Sequence, residues 1–290
     1  MQEASRLLLA AILAAVMSAY GYRKRSLNPS GAAFALVVGF VSCGASVTFG
    51  LTLIAFFIGS SRVTKIGAKK KAKIEDGHQV GGNRNWVQVL ANGGVGTILA
   101  AVYWYRTRQA GLDPELPIDF AGRPIESLLQ AAYLSAYACC NADTWASELG
   151  VLSRAKPILV TRPWRQVPAG TNGGITTLGT LASLAGGLLI GGVFWGVGLM
   201  LEPEGTPPIP RWPLAALGAA MGVAGSFIDS LLGATLQYSG WCESKKVVVE
   251  APTPTTRHMS GFGVLDNHQV NFLACAGTSA LGALVARALM

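Results

Sequence analysis

Charge is scarce in this chain. Asp, Glu, Lys and Arg make up 13% of its 290 residues, against 51% hydrophobic, where soluble proteins carry about a quarter charged residues. That balance excludes an ordinary water-soluble globular protein. Metal-binding and redox side chains are few and unpatterned. The three histidines, His78, His258 and His268, share no spacing, and the five cysteines at 43, 139, 140, 242 and 275 form neither a paired metal-ligand motif nor a secreted-domain framework. The cysteines are expected to be small apolar packing residues. A Walker A sequence is absent, and the first apolar run is not patterned as a leader. Its cluster of positive charges, Arg23, Lys24 and Arg25, follows the run, and no clean small-x-small cleavage site stands before Arg23. That run is expected to be a retained helix.

Apolar segments are abundant. A spanning helix needs about 20 apolar residues, and segments at 5–22, 31–45, 47–61, 87–105, 127–145, 175–200, 213–237 and 269–289 meet or approach this. The expected fold is an all-α, polytopic transmembrane helix bundle of seven or eight spans, a single domain over 1–290 with a flexible loop insertion at about 239–266. The choice between seven and eight rests on residues 31–61, too long for one span, with the small residues "SCGAS" at 42–46 available for a turn. The 36 glycines suit close helix packing, as in the pairs Gly187/Gly191, Gly192/Gly196 and Gly218/Gly222.

Lys and Arg are distributed unevenly. With eight spans, the loops 23–30, 62–86, 146–174 and 238–268 lie on one side and hold 17 of the 23 basic residues, which places that side in the cytoplasm. The net charge of +8 therefore needs no nucleic-acid partner. The run "KIGAKKKAKIEDG" is expected to be solvated or to face anionic lipid.

Polar residues that interrupt the spans converge on that same side. Asp143, Thr144 and Glu148 end the fifth span, following Asn141. Arg84, Asn85, Gln88 and Asn92 open the fourth, Asp229 and Gln237 lie late in the seventh, and Asn267 and Asn271 open the eighth. An acidic residue within a span costs on the order of 2.5–3.5 kcal/mol, so it normally faces a bundle interior or a cavity. The loop "RPWRQVPAGTNGGITTLGT", residues 162–180, adds glycines whose amides can face an anion and a helix start near Ile175. Gly170, Thr171, Gly173, Gly174, Arg165, Arg84 and Lys65 are the candidate phosphate- or nucleotide-binding residues. Asp143 and Asp229 are the candidate catalytic residues and ligands for Mg2+, which takes one or two carboxylates together with phosphate oxygens. Asn85, Asn92, Asn141, Glu148, Asn267 and Asn271 are the candidate polar lining.

Five blocks then carry a resemblance. "SSRVTKIG" (60–67), "RNWVQVLANGG" (84–94), "NADTWASELG" (141–150), "VPAGTNGGIT" (167–176) and "DSLLGATLQ" (229–237) resemble, in order, the integral membrane family that includes transmembrane protein 19 and phytyl-phosphate kinases. With the spans between them the blocks cover nearly the whole chain. The resemblance implies a multi-pass membrane protein acting on a prenyl-phosphate lipid with CTP; an intracellular membrane such as the endoplasmic reticulum is expected rather than the plasma membrane, with the organelle left open. The wider dolichol and phytol kinase pattern is also approached, although Asn141-Ala142 stand where Gly precedes its Asp and Val167-Pro168-Ala169 where a Lys often precedes its loop. The expected function is a CTP-dependent prenyl-phosphate kinase; a transporter or channel, to which an intramembrane Asp229 is also suited, and a noncatalytic membrane protein are the alternatives.

Overall fold

The computed structural model describes residues 3–71, 82–205 and 213–290; Arg211, His78 and the end of the basic run at 65–77 lie outside these. The described residues form eight long helices: α1 (Glu3–Arg23), α2 (Pro29–Ala45), α3 (Val47–Lys71), α4 (Trp86–Gln109), α5 (Pro124–Gly150), α6 (Thr177–Met200), α7 (Pro213–Leu236) and α8 (Asn267–Leu289). Six of them are long and apolar enough to cross a membrane, and α2 is a shorter apolar helix. Their outer faces carry exposed Leu8, Ile12, Leu181, Leu188, Leu273 and Leu284, as a lipid-facing surface requires.

The stretch from 31 to 61 makes two helices. Ser46 breaks the path in extended conformation (φ −161°, ψ 144°), and the chain turns back so sharply that a Cβ on Gly50 would stand 3.0 Å from the Cys43 Cα. Glu115, from the α4–α5 connection, holds this turn. Its carboxylate accepts from the Val47 and Thr48 amides at 2.6 and 3.2 Å and from the Ser46 and Thr48 hydroxyls at 2.9 and 2.8 Å. A negative charge there faces the positive end of α3.

The remaining span, α5, is the axis of the bundle, packed by α3, α4, α6, α7 and α8. Residues 131–142 are buried almost throughout. Because α5 touches little lipid, it tolerates polar residues that an outer helix would not, and small side chains let its neighbours close in. Its bulky residues form the core: Tyr133 stacks on Phe49 with centroids 3.8 Å apart and donates to the Phe49 carbonyl at 2.9 Å. Tyr103 donates to Pro114 O at 2.8 Å and accepts from Gln130 at 2.8 Å. On the adjacent pair, α6 and α7 meet backbone to backbone, with a Cβ on Gly218 landing 2.6 Å from Gly191 Cα.

Two small antiparallel sheets lie at one end of the bundle. The first is ordered β2-β1-β3, from β1 (Ile158–Leu159), β2 (Arg162–Gln166) and β3 (Gly174–Ile175); the second is ordered β5-β4-β6, from β4 (Ser239–Cys242), β5 (Val247–Val249) and β6 (Thr256–Ser260). The segment expected as a flexible insertion at about 239–266 therefore contains a sheet. Its Val-rich run pairs with β4, and Pro252 and Pro254 fall in the β5–β6 connection, where the missing N–H groups break no ladder.

Candidate functional site

At the same end a cavity of about 990 Å³ opens between the helix ends and the sheets, at the upper end of ordinary ligand pockets. Its walls come from elements far apart in sequence. The C-terminal parts of α3, α5 and α7 bring Lys71, Asp143, Glu148 and Asp229. The starts of α4, α6 and α8 bring Gln88 and Asn92, then Thr180, then Asn267 and Asn271; the loop 170–174 closes one side. An up-down bundle puts alternate helix ends together, so the site follows from the number of spans.

Three helix N-termini thus point at one space. Each is capped by its own side chain: Asn85 accepts from the Gln88 amide at 3.0 Å, Thr176 Oγ1 from Gly179 at 3.0 Å and Asp266 from Gln269 at 2.8 Å. Capping satisfies one amide of the first turn in each helix, and the positive ends of the helix dipoles still favour an anion. The loop contributes less than its glycine content suggested. The Thr171 amide and hydroxyl both donate to Pro168 O, the Gly174 amide donates to Thr171 O and the Asn172 amide to Ser239 Oγ. Gly170 (φ +90°) and Gly173 (φ +76°) take the left-handed conformations the turn demands, and among the described residues their amides have no partner.

Against this positive field stand the carboxylates. Asp143 and Asp229, on α5 and α7, line the cavity near enough for their charges to act on each other. Among the described residues neither has a Lys or Arg within ion-pair distance. Oriented by its surroundings, the Asn271 amide nitrogen donates to Asp229 Oδ2 at 3.1 Å and to the Asn267 carbonyl at 3.0 Å. Glu148 is paired with Lys71 at 3.1 Å. Lys71 acts on Asp143 only from beyond ion-pair distance, and two neighbouring carboxylates free of direct ion pairs fit the donor set of Mg2+, whose remaining positions are taken by water and phosphate. No group of three or more His, Cys, Asp or Glu residues of metal-site geometry occurs among the described residues, so such an ion would depend on its ligand for completion.

Four of the sequence-derived candidates stand elsewhere. Asn141 is fully buried, accepting from Ser60 Oγ at 2.9 Å and donating to Gly186 O at 2.8 Å; it ties α3, α5 and α6 together. Asn85 spends its side chain on the α4 cap. Arg165 donates to Met259 O at 3.1 Å, joining the two sheets, and Lys65 is exposed outside the cavity. In each case a polar residue at the right depth turned to a different neighbour. Conversely, Lys71, read as part of a solvated basic run, is three turns beyond the apolar core of α3 and reaches the cavity. Ser226 and Ser230, also in its wall, were legible as the positions flanking Asp229 on one helical face at 226, 229, 230 and 233.

A polytopic helical membrane protein with a polar, two-carboxylate cavity at one end is the class that fold and site define. The chain belongs to the integral membrane protein family DUF92, matched over residues 12–279, which is the family its five motif blocks resemble, that of transmembrane protein 19 and phytyl-phosphate kinase. It is similar to Protein PGR of Arabidopsis thaliana, 38% identical over 277 residues that cover 95% of this chain and 94% of the relative. An uncharacterized membrane protein of Methanocaldococcus jannaschii is 30% identical over 85% of this chain and 90% of its own. Protein VTE6, chloroplastic, of Arabidopsis thaliana is 24% identical over 73% of this chain and 56% of the relative. No solved structure matches.

Proposed function

We propose that the protein is a membrane-embedded kinase that transfers the γ-phosphoryl group of CTP to a prenyl monophosphate. The observation that carries this reading is the cavity itself, where two unpaired carboxylates face the starts of α4, α6 and α8 and two basic side chains, Lys71 and Arg84. An oxygen of the lipid phosphate attacks the γ-phosphorus; the bond from that phosphorus to the β–γ bridging oxygen breaks, CDP leaves with the electron pair, and a prenyl diphosphate forms. A phosphate monoester is largely dianionic at neutral pH, its second pKa being about 6, so the nucleophile needs no protein base. The chain's work is placement and charge neutralisation.

In this reading Asp143 and Asp229 hold the magnesium, which, when bound, neutralises charge on the nucleotide phosphates. The Gly170 and Gly173 amides and the α6 start take up phosphate oxygens, and Asn271 fixes the Asp229 carboxylate. The polar cavity lies at one end, whereas toward the opposite end the core is filled by the Phe49–Tyr133 stack and the Tyr103–Gln130 hydrogen bond; an enzyme facing one aqueous compartment suits that arrangement better than a transporter. The membrane is intracellular in this reading. The test is purified protein incubated with γ-labelled CTP, Mg2+ and phytyl, geranylgeranyl or farnesyl phosphate. Labelled prenyl diphosphate is expected, abolished by chelation; folded protein that transfers no label to any of the three, from CTP or another nucleoside triphosphate, overturns the reading.

A further inference from the structure

A second, apolar cleft runs from the polar cavity into the membrane-spanning part of the bundle, between α1, α2, α3 and α4. Met17, Ala35, Val38, Leu53 and Phe57 line it, and its volume is about 80 Å³. The two spaces share three residues, Arg84, Gln88 and Asn92. From Leu53 to Ser60 on α3 the wall extends about 10 Å, at 1.5 Å per residue, and half-buried Leu13 and Met17 flank its side. At the junction stands the Arg84 guanidinium. It bonds the Ser61 and Thr64 hydroxyls at 3.4 and 3.2 Å, and among the described residues no carboxylate lies within ion-pair distance of it. Its close partners are thus two neutral hydroxyls, with the Glu148 carboxylate acting on it only from beyond ion-pair distance, and a guanidinium so placed suits a bound anion.

We infer that this cleft is the seat of the lipid substrate's hydrocarbon tail, with Arg84 at its mouth holding the lipid's own phosphate. The assignment rests on the polar cavity being a lipid-phosphate site, and it divides that cavity: the lipid phosphate lies on the Arg84–Gln88–Asn92 side, the nucleotide on the side of Asp143, Asp229 and the loop at 170–174. An amphiphile with one negatively charged head and one chain matches a space apolar along its length and cationic at one end. The cleft takes only the chain segment nearest the phosphate; the remainder lies against lipid.

Photocrosslinking of the purified full-length protein in detergent tests this, with a prenyl monophosphate carrying a diazirine on its second isoprene unit and the matching prenyl alcohol as probes. The phosphate probe is expected to label α1, α2 and α3, to be competed by unlabelled farnesyl phosphate, and to exceed the alcohol at least tenfold. Arg84→Ala should bring it to the alcohol's level. Ala35→Trp, which fills the cleft without touching the polar cavity, should remove the labelling while Mg2+-dependent CTP binding persists. Equal labelling by both probes, as for a bulk lipid chain, or labelling on the outer faces of α6 and α8, overturns the assignment. If phosphoryl transfer occurs while the labels fall elsewhere, the cleft assignment alone fails. If competed, phosphate-dependent cleft labelling occurs without transfer from any nucleotide, the kinase reading alone fails.

Discussion

Asp143 and Asn141 are two residues apart in "NADTWASELG", and they separate the site from its scaffold. Asn141 faces into the packing and completes two buried hydrogen bonds; Asp143 faces the cavity. Asn141→Ala removes the acceptor of the Ser60 hydroxyl and the donor to the Gly186 carbonyl, at a cost of about 1–3 kcal/mol, so a lowered melting temperature in detergent is expected. Asp143→Asn and Asp229→Asn keep size and remove charge, so melting should hold while Mg2+-dependent CTP binding falls at least tenfold. Glu148→Gln should weaken binding less, because its carboxylate is already neutralised by Lys71 at 3.1 Å. Unchanged binding in both aspartate variants would remove the metal from the mechanism. Composition marks all of these residues as costly in a membrane but is silent on which neighbour each one satisfies. Depth was therefore legible from the sequence, and direction was not.

Helices were legible because each is a local object. A run of apolar residues fixes both length and state, and the segments inferred at 87–105 and 269–289 appear as Trp86–Gln109 and Asn267–Leu289. The sheets were not, since Ile158–Leu159 and Gly174–Ile175 are two-residue strands whose pairing depends on where the bundle places their ends. Glycine spacing shows the same limit. Gly187/Gly191 and Gly192/Gly196 have identical spacing, yet the first pair faces Gly218 and Gly222, and a Cβ on either residue of the second meets nothing within 4 Å. Gly218→Leu should consequently prevent assembly of α6 on α7, seen as loss of monodisperse protein, whereas Gly192→Leu should leave yield and melting unchanged. The sheets yield a further expectation through Arg165, which bonds Met259 O rather than facing the cavity. Arg165→Ala should speed hydrogen exchange in 168–174 by loosening the sheet contact while nucleotide affinity changes less than threefold. A tenfold affinity loss without altered exchange would restore a direct phosphate contact.

At the scale of the whole molecule, the eight helices among the described residues alternate in direction and gather one set of ends around the cavity. The described parts of the α1–α2, α3–α4, α5–α6 and α7–α8 connections meet there, and the isolated bridge between Leu27 and Arg84 joins the first two directly. The opposite end carries the α2–α3 turn with Glu115 and the Glu3–Arg108 ion pair at 3.0 Å. Basic residues are retained on the cytoplasmic side during insertion, so the cavity should open to the cytoplasm, where CTP is. The native cysteines are buried and give a low background for single added thiols at exposed positions, Ala155 beside the cavity and Ala110 at the other end. In a plasma-membrane expression host, a membrane-impermeant maleimide applied to intact cells should label Ala110→Cys and spare Ala155→Cys until the cells are permeabilised. The reverse pattern would put the two carboxylates on the face away from nucleotide, and phosphoryl transfer from cytoplasmic CTP would then be physically impossible for this protein.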